Sequence, residues 1–436
     1  MKARQVALDA LLRVYQNEHS NQVLDQLLTK TAMKAVHRAL VTQMVYGSLR
    51  YEGILDRVIE PFLSKPLKSL DLLALAALRL GTYQILYLDR VPSYAAIDET
   101  VEAVKQRSRK LTGFVNAILR NVLRQKPNLN DLPLEQTHPK WLLERWQARY
   151  GSSETDALVR FNQEKPPVIL RINLNKISRD DYLHQLKLAG IDGKPSKIAP
   201  AGLVIDDLSK AIGQLPGYEE GLFSVQDEVA QLVAPLLQPQ ADLKYLDACA
   251  GLGGKTTHIK EMAGPKVAVT AWDTSSGRLG VLREAAKRLQ LGLVQARVHD
   301  ATVTTEDMYA GILVDAPCSG LGVLRRRPEA RWRRDPQSFL ALTQLQSRML
   351  RAVAPMVAKG GYLVYSTCSI EPEENEDVIA LFLQEHPQFA IDLPAQPRWD
   401  EVGATRTNLG YTFLPSRTGT DGFFLTRLRH EGKIAH

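Results

Sequence analysis

Three cysteines are spread over 436 residues, and two of them stand in short polar motifs. One reads Asp315-Ala316-Pro317-Cys318-Ser319-Gly320, the other Ser366-Thr367-Cys368-Ser369-Ile370. A cysteine is commonly a small buried hydrophobe, and that is the plain reading of the third, Cys249. A thiol flanked by polar turn residues is instead placed for chemistry, because its surroundings set how readily it becomes the reactive thiolate. Three cysteines are too few for a disulfide framework. No Cys-x-x-Cys or His-x-x-x-His spacing is present, so no metal site is expected. One reaction needs such a thiol. A thiolate adding to carbon 6 of a pyrimidine makes an enamine, and carbon 5 then carries enough electron density to attack a methyl sulfonium. One hard step becomes two easier ones. A carboxyl group at the N3–N4 edge of the base would stabilise the adduct, and Asp315 is so placed. Methylation of exocyclic amines commonly uses an Asp/Asn-Pro-Pro-aromatic loop, which this chain lacks. Residue order alone leaves open which of the two thiols attacks.

The elements around these motifs place them together. From Tyr245 onward, strands are predicted at 244–249, 266–272, 294–299, 310–316 and 360–367, alternating with helices at 255–263, 276–291, 337–357 and 373–386. That alternation means an α/β domain with a parallel, Rossmann-like sheet. Ligands of such sheets bind outside the carboxyl ends of the strands, where Asp315, Cys318 and Cys368 fall. The first strand runs into Cys249-Ala250-Gly251-Leu252-Gly253-Gly254-Lys255, a Gly-rich turn opening a helix, where backbone can approach a ligand closely. A phosphate-binding Walker loop would need glycine at Cys249, and a dinucleotide fingerprint would need it at Thr256. S-adenosylmethionine remains. Asp273, ending the second strand, is placed to accept both ribose hydroxyls, and Asp300, ending the third, an adenine amino group.

The remaining chain suggests a polyanion. Residues 1–130 hold 19 Lys+Arg against 11 Asp+Glu, whereas the rest is nearly neutral, within a formal net charge of +7. Residues 1–127 read as all-helical, 128–165 as a helical linker, 166–235 as a small α+β unit and 236–432 as the catalytic domain. Lys105, Arg107, Arg109 and Lys110 form a basic cluster that is either a solvated helix end or an RNA contact. Arg325, Arg326, Arg327, Arg331 and Trp332 lie in a loop of six arginines and one acid. Beside a crevice that composition suits phosphate contacts and base stacking. No apolar stretch is long enough to span a membrane, and Met1-Lys2-Ala3-Arg4-Gln5 runs straight into an amphipathic pattern, so a cytoplasmic monomer is expected.

Together these motifs resemble the NOL/NOP/Sun family of RNA cytosine-5 methyltransferases. The match takes in Gly221-Leu222-Phe223-Ser224-Val225-Gln226-Asp227-Glu228, the Gly-rich turn, both cysteine motifs and Thr420-Asp421-Gly422-Phe423-Phe424. It implies that Cys368, in Thr-Cys-Ser, is the nucleophile and that Cys318, in Pro-Cys, helps release the product. Val45-Tyr46-Gly47-Ser48-Leu49-Arg50, Arg79-Leu80-Gly81-Thr82-Tyr83-Gln84 and Gly113-Phe114-Val115-Asn116-Ala117-Ile118-Leu119-Arg120 make residues 1–127 similar to a NusB-type RNA-binding domain. The combination implies small-subunit (16S) ribosomal RNA as substrate. A transfer-RNA cytosine-5 methyltransferase and a non-catalytic RNA-binding assembly factor are the alternatives. Two departures stand out. The family turn usually reads Cys-Ala-Ala-Pro-Gly-Gly-Lys, and losing the proline's fixed φ predicts a looser turn. Glu329-Ala330-Arg331-Trp332 stands where the family often has Asp-Ile-Lys-Trp, and Arg is not equivalent to Lys at a shaped site.

Overall fold

The computed structural model describes residues 2–128, 131–208, 210–264 and 266–432; Met1, in the N-terminal run read above, lies outside them. The chain divides into two compact units: Met1–Lys165 with Leu324–Arg333, and Pro166–Val323 with Arg334–His436. Among the described residues no helix is long and apolar enough to cross a membrane.

The first unit is helical: α1 (Ala3–Tyr15), α2 (Ser20–Thr29), α3 (Ala35–Arg50), α4 (Glu52–Ile59), α5 (Leu72–Tyr87), α6 (Ser93–Lys105), α7 (Arg109–Arg124), α8 (Lys140–Tyr150) and α9 (Ser152–Gln163). The apolar spacing that predicts helices there also supplies the core. Ala7, Ala10, Leu11 and Val14 of α1 pack with Val41, Met44, Val45 and Leu49 of α3 in one cluster. Helix α5 is buried nearly all round. Asp71 caps its start, accepting from Leu73 N at 2.9 Å and Ala74 N at 3.3 Å. Its buried Arg79 is neutralised by Glu52 at 2.8 Å and Asp56 at 2.7 Å. Arg109 and Lys110 stand exposed at the start of α7. Lys105 pairs with Glu102 at 3.6 Å, and Arg107 with Asp9.

Leu324–Arg333 belongs to this helical unit, although the strand–helix pattern assigns it to the catalytic domain. This corrects the expectation for two of its arginines. Arg331 is fully buried, donating to Thr137 O at 3.1 Å and Leu324 O at 3.4 Å. Arg325 is also buried, its guanidinium carbon 4.3 Å from the Phe161 ring centroid. These groups are turned toward protein carbonyls and an aromatic face rather than solvent. Burial, with the charge of Arg50, pulls the Arg331 pKa down to about 9. Glu329 is anchored too, accepting from Ser20 N at 3.2 Å and Ser20 Oγ at 3.0 Å. Arg326 and Arg327 are half-buried, and Trp332 is 36% exposed.

The second unit opens with an antiparallel sheet in the order β2-β3-β1-β4: β1 (Val168–Ile172), β2 (Lys194–Pro195), β3 (Gly202–Ile205) and β4 (Phe223–Val225). Helix α10 (Arg179–Leu188) covers it through Tyr182 and Leu186. The main sheet follows: β5 (Lys244–Asp247), β6 (Ala268–Asp273), β7 (Gln295–Val298), β8 (Tyr309–Asp315), β9 (Val357–Thr367), then β10 (Phe389–Ile391), β11 (Thr405–Arg406), β12 (Tyr411–Phe413) and β13 (Phe423–His430). The order is β11-β12-β13-β9-β8-β5-β6-β7, with β10 beside β13. Strands β5 to β9 are parallel, as the alternation predicts; the antiparallel flank β10–β13 goes beyond that reading. Helices α11 (Ala230–Leu236), α12 (Gly254–Ala263), α13 (Ser276–Arg288), α14 (Ser338–Val353) and α15 (Glu376–Glu385) complete the layers. Because β6 and β8 flank β5 on opposite sides, the chain reverses direction across the sheet there. That switch point opens a crevice at the strands' carboxyl ends.

Arg171 of β1 ties the small sheet to this crevice. Its fully buried guanidinium makes a bidentate pair with Glu261 at 3.0 and 2.9 Å and donates to Thr257 Oγ1 at 3.1 Å. It also reaches Gly254 O at 2.7 Å, at the start of α12, and the Gln226 side chain. Charge-assisted bidentate bonds of this kind are strong and directional.

The burial of Arg331 gives the first prediction. Arg331→Ala should lower the unfolding free energy by about 2–4 kcal/mol, since it leaves buried carbonyls without a donor. The folded variant should bind RNA as the native chain does, whereas exposed Arg109→Ala should keep stability and lose RNA affinity. Denaturant titration and a filter-binding assay check both; a stable Arg331→Ala with weakened RNA binding would restore the phosphate-binding reading.

Candidate active site

The turn after β5 is pinned to its neighbours. Ala250 N donates to Trp272 O at 2.8 Å, Gly253 N to Ala250 O at 2.9 Å and Gly251 N to Asp273 Oδ2 at 3.1 Å. These bonds tie the turn to β6 and to itself, with Leu252 at the family's proline position. Gly253 adopts φ +89°, and a Cβ there would come 2.1 Å from Leu282 Cδ1, so only glycine fits. A Cβ on Gly251 would meet nothing within 4 Å, which leaves open space over the turn. Leu252 is 46% exposed beside it, and Ala250 is buried. Cys249 is half-buried, its Sγ 3.9 Å from Met349 Sδ, the packing role expected of it.

Asp273 stands beside this space but also serves the turn: besides Gly251, it accepts from Ser275 N at 2.7 Å and Arg278 Nη1 at 3.1 Å. Asp300 is exposed, and the bonds from Thr302 N and Oγ1, at 2.9 and 2.8 Å, lower its pKa. Open space over a Gly-rich turn with two carboxylates at successive strand ends fits an adenosine ligand, the first group able to receive hydroxyls and the second an amino group.

Lys255 leaves the turn for the other side of the crevice. Its ammonium lies 2.7 Å from Asp315 Oδ2 and 5.5 Å from the Phe423 ring centroid. Burial works against this charge, but Asp315 more than offsets it, and the Lys255 pKa is raised. Ser366 Oγ donates to Asp315 Oδ1 at 2.8 Å, which fixes the carboxylate from the neighbouring strand.

The two motif thiols meet at this end of the sheet, Cys318 Sγ lying 3.4 Å from Cys368 Sγ. Strand register brings them there. Asp315 of β8 faces Ser366 of β9, and Ala316 N bonds Ser366 O at 2.9 Å beyond the last pair. The hydrogen bond with Cys368, and then burial, push the Cys318 thiol well above its usual pKa. Gly322 and Gly422 close the floor beneath: Gly322 N donates to Cys368 O at 3.0 Å and Gly422 N to Gly322 O at 2.7 Å. A Cβ on Gly322 would come 2.2 Å from Gly422 O, so the Thr420-Asp421-Gly422 motif is a packing partner of the thiol loop.

Three contributors escape sequence reasoning. Arg334, read as part of the arginine run, donates to Ser319 O at 3.1 Å and Cys318 O at 3.2 Å. Glu374 and Asn375 lie in an acidic stretch at the start of the helix predicted at 373–386, and both are fully buried. Asn375 Nδ2 donates to Ser369 O at 3.1 Å, and its Oδ1 accepts from Thr367 Oγ1 at 2.5 Å, so it brackets Cys368. The one available signal is the nearness of this stretch to Cys368. Among the described residues, no cluster of three His, Cys, Asp or Glu is placed to hold a metal ion.

Asp247, at the end of β5, yields a pH prediction. Burial raises its pKa from 3.8 to about 6, against the opposing bond from Thr256 Oγ1 at 2.6 Å. A carboxyl whose folded pKa exceeds its unfolded value stabilises the fold fully below the unfolded pKa, and that contribution is lost as pH rises through the folded one. Asp247→Asn removes this titration. Between about pH 4 and about pH 7 its stability should gain on the native chain by roughly 3 kcal/mol, at about 1.4 kcal/mol per pKa unit. Denaturant titrations across that range check this, and a pH-independent difference would contradict it.

Comparison with known proteins agrees with this architecture. Residues 234–429 match the profile described as 16S rRNA methyltransferase RsmB/F, residues 1–124 the NusB family, and residues 138–210 the RsmF/B-like ferredoxin-like domain. The probable ribosomal RNA small subunit methyltransferase B of Bacillus subtilis is 36% identical over 444 residues, covering 98% of this chain and 99% of that protein. The ribosomal RNA small subunit methyltransferase B of Yersinia pestis is 36% identical over 435 residues, covering 98% of each. Among solved structures, that of PH0851 superposes with a TM-score of 0.86 at 26% identity, covering 98% of this chain and 99% of the other. NSun6 from Pyrococcus horikoshii, solved with SFG, shares the fold at a TM-score of 0.60 and 22% identity, covering 69% of this chain and 100% of the other. A Gly-rich turn, a paired-thiol crevice, a NusB-type helical unit and near-full-length relatives converge: the chain belongs to the RsmB/Sun family of methyltransferases.

Proposed function

We propose that this protein transfers a methyl group from S-adenosylmethionine to carbon 5 of a cytosine in 16S ribosomal RNA, through a covalent bond between Cys368 and carbon 6. The observation that carries the reading is the pair of thiols 3.4 Å apart, at the same strand ends as the Asp315–Lys255 pair. S-adenosylmethionine supplies an electrophilic methyl group when it lies over the Cys249-to-Lys255 side of the crevice, held by the turn, Asp273 and Asp300.

Each side chain then has a task. Cys368 forms the bond to carbon 6, and the electron pair released into the ring makes carbon 5 nucleophilic. Asp315, steadied by Lys255 and Ser366, holds the N3–N4 edge while charge develops there. After methyl transfer, carbon 5 must lose its proton before the Cys368–carbon 6 bond can break. Cys318, whose sulfur lies 3.4 Å from that of Cys368, takes that proton as the thiolate, its own proton having passed to solvent. The assignment of attack to Cys368 follows the resemblance of its Thr367-Cys368-Ser369 motif.

The substrate assignment rests on the NusB-type unit and on relatives named for small-subunit ribosomal RNA. Arg109 and Lys110 are adjacent exposed basic residues at the start of α7 that suit a phosphate backbone. Arg109→Glu with Lys110→Glu should weaken RNA binding and lower the slope of log affinity against log salt by about 2, one for each phosphate left without its cation. An unchanged slope would move the RNA-binding face elsewhere.

The thiols give the decisive test. With 16S RNA and S-adenosylmethionine, Cys368→Ala should neither methylate nor form an adduct, whereas Cys318→Ala should accumulate a protein–RNA complex that survives denaturing electrophoresis. The stalled complex in Cys368→Ala would exchange the two roles. Its formation with transfer RNA instead would reassign the substrate, and failure to bind S-adenosylmethionine would leave an assembly factor.

A further inference from the structure

One buried carboxylate joins the two thiol loops. Glu374 ends the tight turn Pro372–Glu374, shortly after Cys368, and is fully buried. Its Oε1 accepts from Ser319 N at 2.7 Å and Gln346 Nε2 at 3.2 Å. Its Oε2 accepts from Ser319 Oγ and Ser369 Oγ, both at 2.5 Å. Ser319 directly follows Cys318, and Ser369 directly follows Cys368. The two serine hydroxyls also lie 3.1 Å from each other. Gln346 extends the grip by donating to Pro317 O at 2.9 Å, on the other side of Cys318. Tyr365 OH bonds Glu374 O at 2.6 Å, which anchors the turn itself to β9.

We infer that Glu374 is a positioning residue that keeps Cys318 and Cys368 in register, so that one thiol can act on the base while the other is bonded to it. The inference rests on the roles given to the two thiols above. Strand pairing alone does not reach this far. The last β8–β9 pair is Asp315 with Ser366, and both thiols lie beyond it. Past that point each loop needs another tether, and a carboxylate can accept from both at once because each oxygen carries two lone pairs. Burial is what makes the tether rigid. It raises the Glu374 pKa, opposed by the bonds from Ser319 and Ser369, so the group's free energy depends on keeping those donors in place. The backbone bond from Gly322 N to Cys368 O also joins the loops but leaves the Ser319 and Ser369 hydroxyls unheld. Removing the carboxylate therefore loosens two loops whose separation the chemistry requires to be fixed, while the Gly-rich turn and Asp273 make none of the bonds that Glu374 receives.

The register can be read without catalysis. The azo oxidant diamide removes one hydrogen from each thiol, becoming the hydrazine, and leaves one S–S bond between neighbouring sulfurs. In the full-length native chain, peptide mapping should find a Cys318–Cys368 disulfide forming quickly. In Glu374→Ala this cross-link should form about tenfold more slowly, because two groups lose their fixed orientation. Its kcat on 16S RNA should fall about a hundredfold, the scale of loss from a displacement near 1 Å, with S-adenosylhomocysteine affinity unchanged by calorimetry. Glu374→Gln keeps one acceptor for Ser319 N and should recover both rates in part; it also carries the test if Glu374→Ala does not fold. A merely structural role would lower the melting temperature and leave both rates of the folded protein unchanged. Cross-linking at the native rate in both variants would overturn the inference, and so would slowed cross-linking with native turnover. If instead Cys318→Ala turned over normally, the roles of the thiols would fail while the register measured by diamide stood.

Discussion

Two sulfur atoms at van der Waals distance, from loops separated by about fifty residues of chain, are the constraint on which this catalytic unit is organised. Neither strand can slide. A slip of one residue between β8 and β9 would turn Asp315 or Ser366 to the opposite face of the sheet and separate the thiols. Parallel pairing brings both strands to the same edge, and β5 between β6 and β8 leaves that edge open as a crevice. The Lys255–Asp315 pair crosses the crevice from the Gly-rich turn to the first thiol loop, so the two halves of the site are joined by a half-buried ion pair. The pair couples the geometry over the turn to that beside the thiols.

The parallel core and the two cysteine motifs that meet at its edge were legible because they leave strong local marks. Short apolar runs alternate with amphipathic ones, and Asp315-Ala316-Pro317-Cys318 and Thr367-Cys368-Ser369 punctuate two strand ends. The small sheet was only half legible: β1 and α10 stand out, but β2 to β4 are two to four residues long and carry too little periodicity. The antiparallel strands β10–β13 likewise lack the strand–helix alternation that reveals the rest. In the site, what escaped is what acts from a distance in sequence. Glu374, Asn375 and Arg334 are charged or polar residues in polar stretches, and only tertiary structure shows that they face inward.

Charge patterning misled in one instructive place. A run of arginines with a tryptophan reads as a phosphate-binding loop, because a solvated cation needs no explanation and a buried one costs much free energy. Here Arg331 and Arg325 meet that cost with backbone carbonyls and an aromatic ring. The planar guanidinium makes this feasible, since its fork of donors can serve several acceptors and its face can stack. Arg331 in place of the family's lysine is therefore a packing choice as much as an electrostatic one. Arg109 and Lys110 are exposed instead, and they belong to the helical unit where the overall positive excess also lies.

The proposed chemistry stands or falls on which atom receives the methyl group. Bisulfite sequencing of 16S ribosomal RNA from cells with and without the protein reads this directly, because carbon 5 methylation protects cytosine from deamination. Methyl transfer to carbon 5 predicts a cytosine that resists conversion in the native strain, converts when the protein is absent, and is protected again by the native chain. An unchanged bisulfite pattern, with methyl label from S-adenosylmethionine appearing on another atom of the RNA, would contradict it.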